Sequence, residues 1–286
     1  MSFGDVGSSK AGPSGAARRL ALRTTRRSPL DLEIGGDLAG LPGGSVRYVT
    51  RKDLLALPQV SYAVTNDPNF TPPTQVSGVP LVELRRAAGG GPGADMIVAI
   101  CRDKYRANYP PTYIAAHQPL LVLEVNGQPP AGWPEDSETH SNEMGPYLIS
   151  HAKFEPSFNI LAHVEEAEIP WGVVRLDFRD ENEVFAAIAP HGPHASDPSV
   201  RAGYEIAQQN CFHCHNSAGE GGQKAGVPWK VLATFATASP EGFASYVRDP
   251  RRSDARAQMP ANPGYHVETV DALVAYFQNF ASGEKQ

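Results

Sequence analysis

The sequence predicts two domains of different fold class, an α+β domain over residues 29–180 and an all-α domain over residues 198–286. Short alternating runs such as Val60–Val64, separated by brief helical segments, are typical of the first class. An amphipathic stripe over residues 269–280 is typical of the second. Residues 181–197, rich in Pro, Gly, Ala and His, have the composition of a linker.

Composition excludes several classes of function. A net charge of -6 and a pI near 5.8 argue against nucleic acid as a partner. No run of about 18 apolar residues occurs, so no membrane span is predicted. Residues 1–28 are basic and rich in small residues, and we expect a disordered tail there. They lack the apolar stretch of a secretory signal.

In the first domain, strands are predicted where apolar residues alternate or run together. They lie near residues 32–34, 47–50, 60–64, 96–100, 120–125 and 171–178. Helices are predicted after the capping residue Thr50 and over residues 78–86. Asn126-Gly127 predicts a tight turn after the fifth of these strands.

In the second domain, residues 199–210 have helical spacing, with small Gly203 on the apolar side. Residues 269–280 supply a partner helix, which ends near Gly283. Ser239, followed by Pro240, predicts the start of a further helix.

The residues that carry chemistry are Cys211, Cys214 and His215, in the sequence Cys-Phe-His-Cys-His. This spacing is the attachment pattern of c-type haem, in which two thiols form thioethers and the next histidine binds the iron. Zinc or a redox disulfide is the alternative for a CxxC motif. Zinc requires two further ligands at similar spacing, and no other cysteine lies nearby.

Met259 is the candidate sixth ligand, because it lies in a Pro-rich loop and not on an apolar helical face. His/Met ligation fills both axial positions and suits electron transfer. Trp229 and Tyr246 are candidates for packing against haem, with an ordinary core position as the alternative.

The segment from about residue 198 to 283 resembles a complete class I cytochrome c, because attachment site, distal Met-Pro and bracketing helices occur in the expected order. The resemblance implies one covalent haem c, electron transfer, and maturation in the periplasm or another extracytoplasmic compartment. It also implies redox proteins as electron donor and acceptor. In c-type cytochromes, which this segment resembles, a proline carbonyl in the corresponding loop often orients the iron-binding histidine. Val227-Pro228-Trp229 occupies that loop here, so the resemblance implies that Pro228 orients His215.

The first domain resembles the sulfite-oxidase-like molybdopterin-binding fold over about residues 30–180. The resemblance rests on four segments in order: Ser77-Gly78-Val79-Pro80-Leu81, Asp103-Lys104-Tyr105-Arg106, Leu123-Glu124-Val125-Asn126-Gly127 and Gly145-Pro146-Tyr147-Leu148-Ile149. Catalytic members have a metal-binding cysteine before the first segment, where this chain has Thr65-Asn66-Asp67-Pro68. The arginine usual in the fourth segment is also missing, with Ile149-Ser150-His151 there.

Two hypotheses follow for the first domain. Either it keeps the fold without a metal, which we expect, or a molybdenum site is rebuilt from Cys101, Arg102, Arg106, His140 and His151. Cys101 is then the weak candidate for a catalytic residue, with a small buried apolar residue as the other interpretation.

The predicted function is electron transfer by haem c, with the first domain as a docking or structural module and not as an enzyme. The alternative is a sulfite-oxidase-like molybdenum oxidoreductase that passes electrons from molybdopterin to its own haem. Glu165-Glu166-Ala167-Glu168 is either a solvated acidic run or a guide for a basic partner. Arg248, Arg251, Arg252 and Arg256 form either a basic rim for an acidic partner or a solvated face.

Overall fold

The structure is a computed structural model that describes residues 19–133 and 144–283. It confirms the predicted order of fold classes, a sheet-rich domain followed by a helical domain. None of the helices in the described ranges combines the length and apolar character that crossing a membrane requires.

Eleven strands and four helices belong to the first part of the described chain. The strands are β1 Leu32–Gly36, β2 Arg47–Val49, β3 Val60–Val64, β4 Thr74–Pro80, β5 Met96–Cys101, β6 Arg106–Tyr109, β7 Leu120–Val125, β8 Tyr147–Ser150, β9 Asn159–Ile160, β10 His163–Val164 and β11 Trp171–Arg179. The helices are α1 Arg51–Leu55, α2 Leu81–Ala88, α3 Pro111–His117 and α4 Glu181–Ala186. The helix predicted over 78–86 is partly wrong, because Gly78 and its neighbours extend β4 and the helix begins at Leu81.

One nine-stranded sheet organises this domain. Its strands lie in the order β2-β1-β11-β8-β7-β4-β3, and β5 and β6 join through β11. The beginning of β11 pairs with β8, whereas its remainder lies between β1 and β5. Trp171 and Val173 pair with β8, and β1 becomes the neighbour of β11 from Arg175 onwards. The register with β5 also shifts between Val173 and Arg175. This arrangement places β5 and β6 at a sheet face that meets the helical domain.

The helical domain contains α5 Pro198–Asn210, α6 Trp229–Ala238, α7 Pro240–Arg248, α8 Pro250–Ser253 and α9 Val267–Gly283, with a small pair of strands, β12 Asn216–Ser217 and β13 Glu220–Gly221. Helices α5 and α9 cross as predicted, and α6 was not anticipated. The predicted cap at Ser239 is wrong in detail, because its side chain makes no capping hydrogen bond. Pro240, with its fixed φ, begins α7 instead.

Gly203 determines how closely α5 and α9 approach. A Cβ at this position would lie 1.9 Å from the backbone oxygen of Ala272. We therefore expect Gly203→Ala to destabilise the protein by about 1–3 kcal/mol despite the better helix propensity of alanine. Urea unfolding followed by far-UV circular dichroism measures the change. Gly264→Ala is the matched control, because nothing lies within 4 Å of its Cβ position. Equal midpoints for the two variants would contradict the close approach.

The amino-terminal boundary of the first domain differs from the prediction. Residues 1–18 lie outside the described residues, but 19–28 are part of the fold and not of a disordered tail. The Leu20 amide donates to the Ala87 carbonyl at 2.8 Å, and Arg23 pairs with Tyr48. Leu20 and Leu22 pack against the core of the sheet domain. Burial of these leucines outweighs the loop-like composition around them.

The predicted linker over residues 181–197 also differs from the structure. It begins with α4, whose Asp180 cap accepts from the Glu183 amide at 3.0 Å. Val184, Phe185 and Ile188 are buried in the same apolar cluster as the cytochrome-like helices and Met96 and Val98 of β5. This segment therefore joins the two domains through a shared core.

Candidate functional site: a haem attachment loop between two domains

The Cys-Phe-His-Cys-His segment forms a tight loop at the end of α5. Cys211 caps the helix, and its amide donates to the Ala207 carbonyl at 2.9 Å. The His215 amide donates to the Cys211 carbonyl at 3.0 Å, which keeps the two thiols on one turn of chain. Both thiols are free and half-buried, and burial raises the pKa of Cys211 to about 12.

Phe212 and Gly222 stabilise the conformation of this loop through packing and a backbone hydrogen bond. Phe212 is fully buried and meets the Trp229 ring edge-on at a centroid distance of 5.5 Å. The Gly222 amide donates to the Phe212 carbonyl at 2.9 Å. A Cβ on Gly222 would lie 1.7 Å from the His213 carbonyl oxygen, so the loop requires glycine there.

His215 is oriented as a metal ligand requires. Its Nδ1 lies 2.7 Å from the Val227 carbonyl oxygen, so Nδ1 carries the proton and Nε2 keeps its lone pair. Burial lowers the pKa of His215 against the opposing effect of that hydrogen bond, which favours the neutral ring. The predicted second-sphere carbonyl is therefore present, but Val227 supplies it and not Pro228.

Met259 lies half-buried in the loop between α8 and α9 and packs against the apolar cluster of the helical domain. Its loop is held by Asn262, whose amide donates to the Arg248 carbonyl at 3.1 Å. Asn210, at the end of α5, donates to the Asn262 side chain at 3.1 Å and to the Tyr265 hydroxyl at 2.8 Å. The loop of the candidate sixth ligand is thus tied to the helix that carries the attachment motif.

The residues present fit a c-type haem. Cys211 and Cys214 supply unpaired thiols, and His215 supplies a free Nε2 from the same turn. In the described ranges, no group of three or more His, Cys, Asp or Glu side chains is arranged to hold a metal ion. Trp229 is a core residue, since its Nε1 donates to the buried Tyr276 hydroxyl at 2.9 Å. Tyr246 is half-buried and lies beside Phe235.

His213, the middle residue of the motif, joins the two domains, and sequence reasoning missed it. The Arg106 amide donates to the His213 carbonyl at 3.0 Å, and the His213 Nδ1 donates to the Arg106 carbonyl at 2.9 Å. Its Nε2 lies 2.9 Å from Glu168 Oε1, and its ring stacks on Tyr105 at 5.2 Å. Burial lowers the pKa of His213, but the Glu168 carboxylate and the Arg106 carbonyl outweigh it and raise the pKa to about 9.

A second set of charged contacts flanks this junction. Glu220 accepts from Arg106 at 2.6 Å and from Arg179 at 2.5 Å, and the side chains of Arg106 and Glu220 are largely buried. Lys224 pairs with Asp103 at 2.7 Å. No Asp, Glu, Lys or Arg lies between Glu205 and Glu220 in the sequence, so local charge around the motif does not mark this junction.

Two carboxylates of the acidic run Glu165–Glu168 are buried inside the protein, so the run as a unit is neither solvated nor available to a basic partner. Glu165 is buried and lies 3.1 Å from His117, while Glu168 is buried against His213. Buried carboxylates require such partners. His163 has the same internal role, since its Nδ1 lies 2.7 Å from the Tyr265 hydroxyl.

Four of the five residues of the hypothetical molybdenum set are described, and each lies in a separate local environment. Cys101 is buried at the end of β5, where burial and nearby Asp103 raise the pKa of its thiol. Arg102 donates to the Gly145 carbonyl, and Arg106 is committed to Glu220. His151 contacts the Tyr113 hydroxyl at 3.3 Å. His140 lies outside the described residues. Arg102, Arg106 and His151 thus each have a partner within the described part of the chain.

Comparisons with known proteins agree with this site. Residues 198–277 match the family model of cytochrome c oxidase, cbb3-type, subunit III. No curated protein sequence matches the chain. The crystal structure of the sulfane dehydrogenase SoxCD from Paracoccus pantotrophus is similar at 18% identity, with a TM-score of 0.36. The match covers 60% of this chain and 45% of that chain, less than half of its length. The match to this family model lies within the helical domain, and the sheet-rich domain packs on the loop that carries Cys211, Cys214 and His215.

Proposed function

We propose that the chain transfers single electrons through a haem c bound by Cys211 and Cys214, with His215 and Met259 as axial ligands. The observation that carries this proposal is the hydrogen bond from His215 Nδ1 to Val227, which leaves Nε2 free on the turn that holds both thiols. Bound haem would supply a one-electron Fe(II)/Fe(III) couple.

Hydrogen bonds within the protein hold both candidate iron ligands in place. His215 is held by Val227, and the Met259 loop is held by Asn262 and Tyr265. Haem iron bound by both His215 and Met259 would have no further position for oxygen or a substrate. The proposed activity is therefore electron exchange with redox proteins, one donor and one acceptor.

The sheet-rich domain is proposed as a structural and docking module. It contributes Arg106, Glu168 and Tyr105 to the contact with the attachment loop. The proposed location is the periplasm or another extracytoplasmic compartment, where haem c is attached.

Met259→Ala tests the axial ligand in protein that has been matured with haem. We expect loss of the iron–sulfur charge-transfer absorption and a reduction potential lower by roughly 0.1 V or more, within the ~0.8 V range that axial ligands span. Potentiometric titration followed by absorption spectroscopy measures both. Met96→Leu, in the buried strand β5, is the control. An unchanged spectrum and potential in Met259→Ala would show that another residue, or none, is the sixth ligand.

A further inference from the structure

The side of the attachment loop that carries His213 is closed to partners. His213 is 3% exposed, and it lies between Arg106, Glu168 and Tyr105 of the sheet-rich domain. A redox partner therefore cannot approach the haem across this face. The loop of Met259 is more open than the face of His213: both neighbours of Met259, Gln258 and Pro260, are exposed.

Exposed arginines lie directly before this loop. Arg251 and Arg252, on α8, are exposed, and neither makes an ion pair within the described part of the chain. Arg256 is 93% exposed and lies 3.7 Å from Asp254. The carbonyl of Arg248, the last residue of α7, accepts from Asn262, so the end of α7 that leads into α8 is tied to the Met259 loop. Residues 248–256 contain four arginines and two exposed aspartates, Asp249 and Asp254, so this segment has an excess of positive charge in a chain with a net charge of -6.

A hairpin of the sheet-rich domain contacts the segment that follows the Met259 loop. Strands β9 and β10 are joined by Leu161 and Ala162, and the Ala162 amide donates to Thr269 Oγ1 of α9 at 3.0 Å. His163 contacts Tyr265 from the same hairpin. The hairpin is therefore fixed against the segment that follows Met259.

Leu161 at the tip of this hairpin presents an apolar side chain to solvent. It is 50% exposed, and Val267, two residues before Thr269, is 61% exposed. Leu161 also has a φ of 55°, in the left-handed region that disfavours a leucine. Neither the exposure of this aliphatic side chain nor its backbone conformation favours folding, which points to a functional role for Leu161.

We propose that Arg251, Arg252, Leu161 and Val267 form a docking surface around the Met259 loop for an acidic redox protein. The inference rests on the proposed electron-transfer function and specifies where the partner binds. The arginines attract and orient a partner that carries carboxylates, because opposite charges accelerate encounter. Leu161 and Val267 supply the apolar contact at which water is excluded. The surface is built by both domains, which explains why the sheet-rich domain is fused to the cytochrome.

The test uses the haem-loaded full chain and reduced plant-type ferredoxin, an acidic one-electron donor. One electron leaves the iron–sulfur centre of ferredoxin and reduces the ferric haem, with no bond made or broken. Stopped-flow absorbance gives the second-order rate constant, and isothermal titration calorimetry with oxidised ferredoxin gives Kd. The variants are Arg251→Glu with Arg252→Glu, and Leu161→Asn.

We expect the double arginine variant to react on the order of tenfold more slowly at low ionic strength and to lose most of the salt dependence. Arg26→Glu with Arg27→Glu is the charge-matched control. These arginines are exposed on the sheet-rich domain, and the Arg26 side chain bonds the Ser28 and Pro29 carbonyls. The control pair is expected to change the rate constant by less than about twofold.

Leu161→Asn separates docking from folding. Asparagine accepts the left-handed conformation better than leucine, so the variant should unfold at an equal or higher urea concentration. We nevertheless expect weaker ferredoxin binding, by several-fold in Kd. A parallel loss of stability and binding would assign Leu161 a structural role and overturn its part in docking.

The spectrum and reduction potential of each variant distinguish a failure of the docking surface from a failure of the proposed electron-transfer function. Every variant should retain the absorption spectrum and reduction potential of the parent, because none touches Cys211, Cys214, His215 or Met259. A parent protein without a reversible couple would refute the proposed function itself. A normal couple with equal losses in both arginine pairs would refute the docking surface alone. Binding of the parent to phosphatidylserine vesicles, lost in Arg251→Glu with Arg252→Glu, without ferredoxin binding would also overturn it in favour of a lipid surface.

Discussion

Replacing both Cys211 and Cys214 with serine is expected to abolish covalent haem entirely. A serine hydroxyl does not form the thioether, and the structure provides no other thiol on this turn, since Cys101 is buried in the sheet-rich domain. Haem-specific staining after denaturing electrophoresis, together with the mass of the intact chain, measures the loss.

Cys101→Ala is the matched control for this experiment. It removes the third cysteine of the chain, and we expect the same covalent haem content as in the parent. A loss of haem in Cys101→Ala alone, or retention of covalent haem in the double serine variant, would refute the assignment of the attachment site.

The contact between the domains is expected to weaken as the solution becomes alkaline. The pKa of His213 is raised from 6.5 in the unfolded chain to about 9 in the fold. The protonated ring therefore makes its full contribution to stability below pH 6.5. This contribution is lost as pH rises from 6.5 towards 9. A shift of this size corresponds to about 3 kcal/mol of unfolding free energy. Urea titrations across this range, in the haem-loaded protein, measure the loss.

Glu168→Gln should remove this dependence on pH, because the amide cannot hold the proton on His213 against the effect of burial. We expect the variant to be less stable than the parent near pH 6.5 and the difference to shrink towards pH 9. Glu166→Gln, an exposed neighbour, is the control and should keep most of the parent's slope. A parent whose urea midpoint is flat between pH 6.5 and 9 would show that the His213–Glu168 pair stores little energy.

Much of the fold was predictable because it depends on local patterns. The strands at 60–64 and 120–125 occur as predicted, since period-two and continuous apolar runs specify strands whatever surrounds them. The crossing of α5 and α9 was predictable from Gly203, because close helix contact requires a small residue.

The boundaries of the two domains were less predictable. The segment from Leu20 and the helix α4 gain their order from burial against distant elements, which composition does not reveal.

The role of the acidic run shows why some site residues were missed. Glu165 and Glu168 resemble any solvated charges in sequence, but each is buried beside a histidine from another segment. Such pairs join positions far apart in the chain, so no local spacing marks them. Leu161 is a further example, because its hairpin is held by a hydrogen bond between Ala162 and Thr269, 107 residues apart in sequence.

The sequence by itself was enough to predict the proposed chemistry, because attachment of haem c requires two cysteines and a histidine within five consecutive residues, as in Cys211 to His215. It also determined the two fold classes through the periodicity of their apolar residues. Only the tertiary structure decided how the domains meet. The contacts of His213 with Arg106 and Glu168, and the position of the β9–β10 hairpin beside the Met259 loop, arise from packing between residues that are distant in sequence.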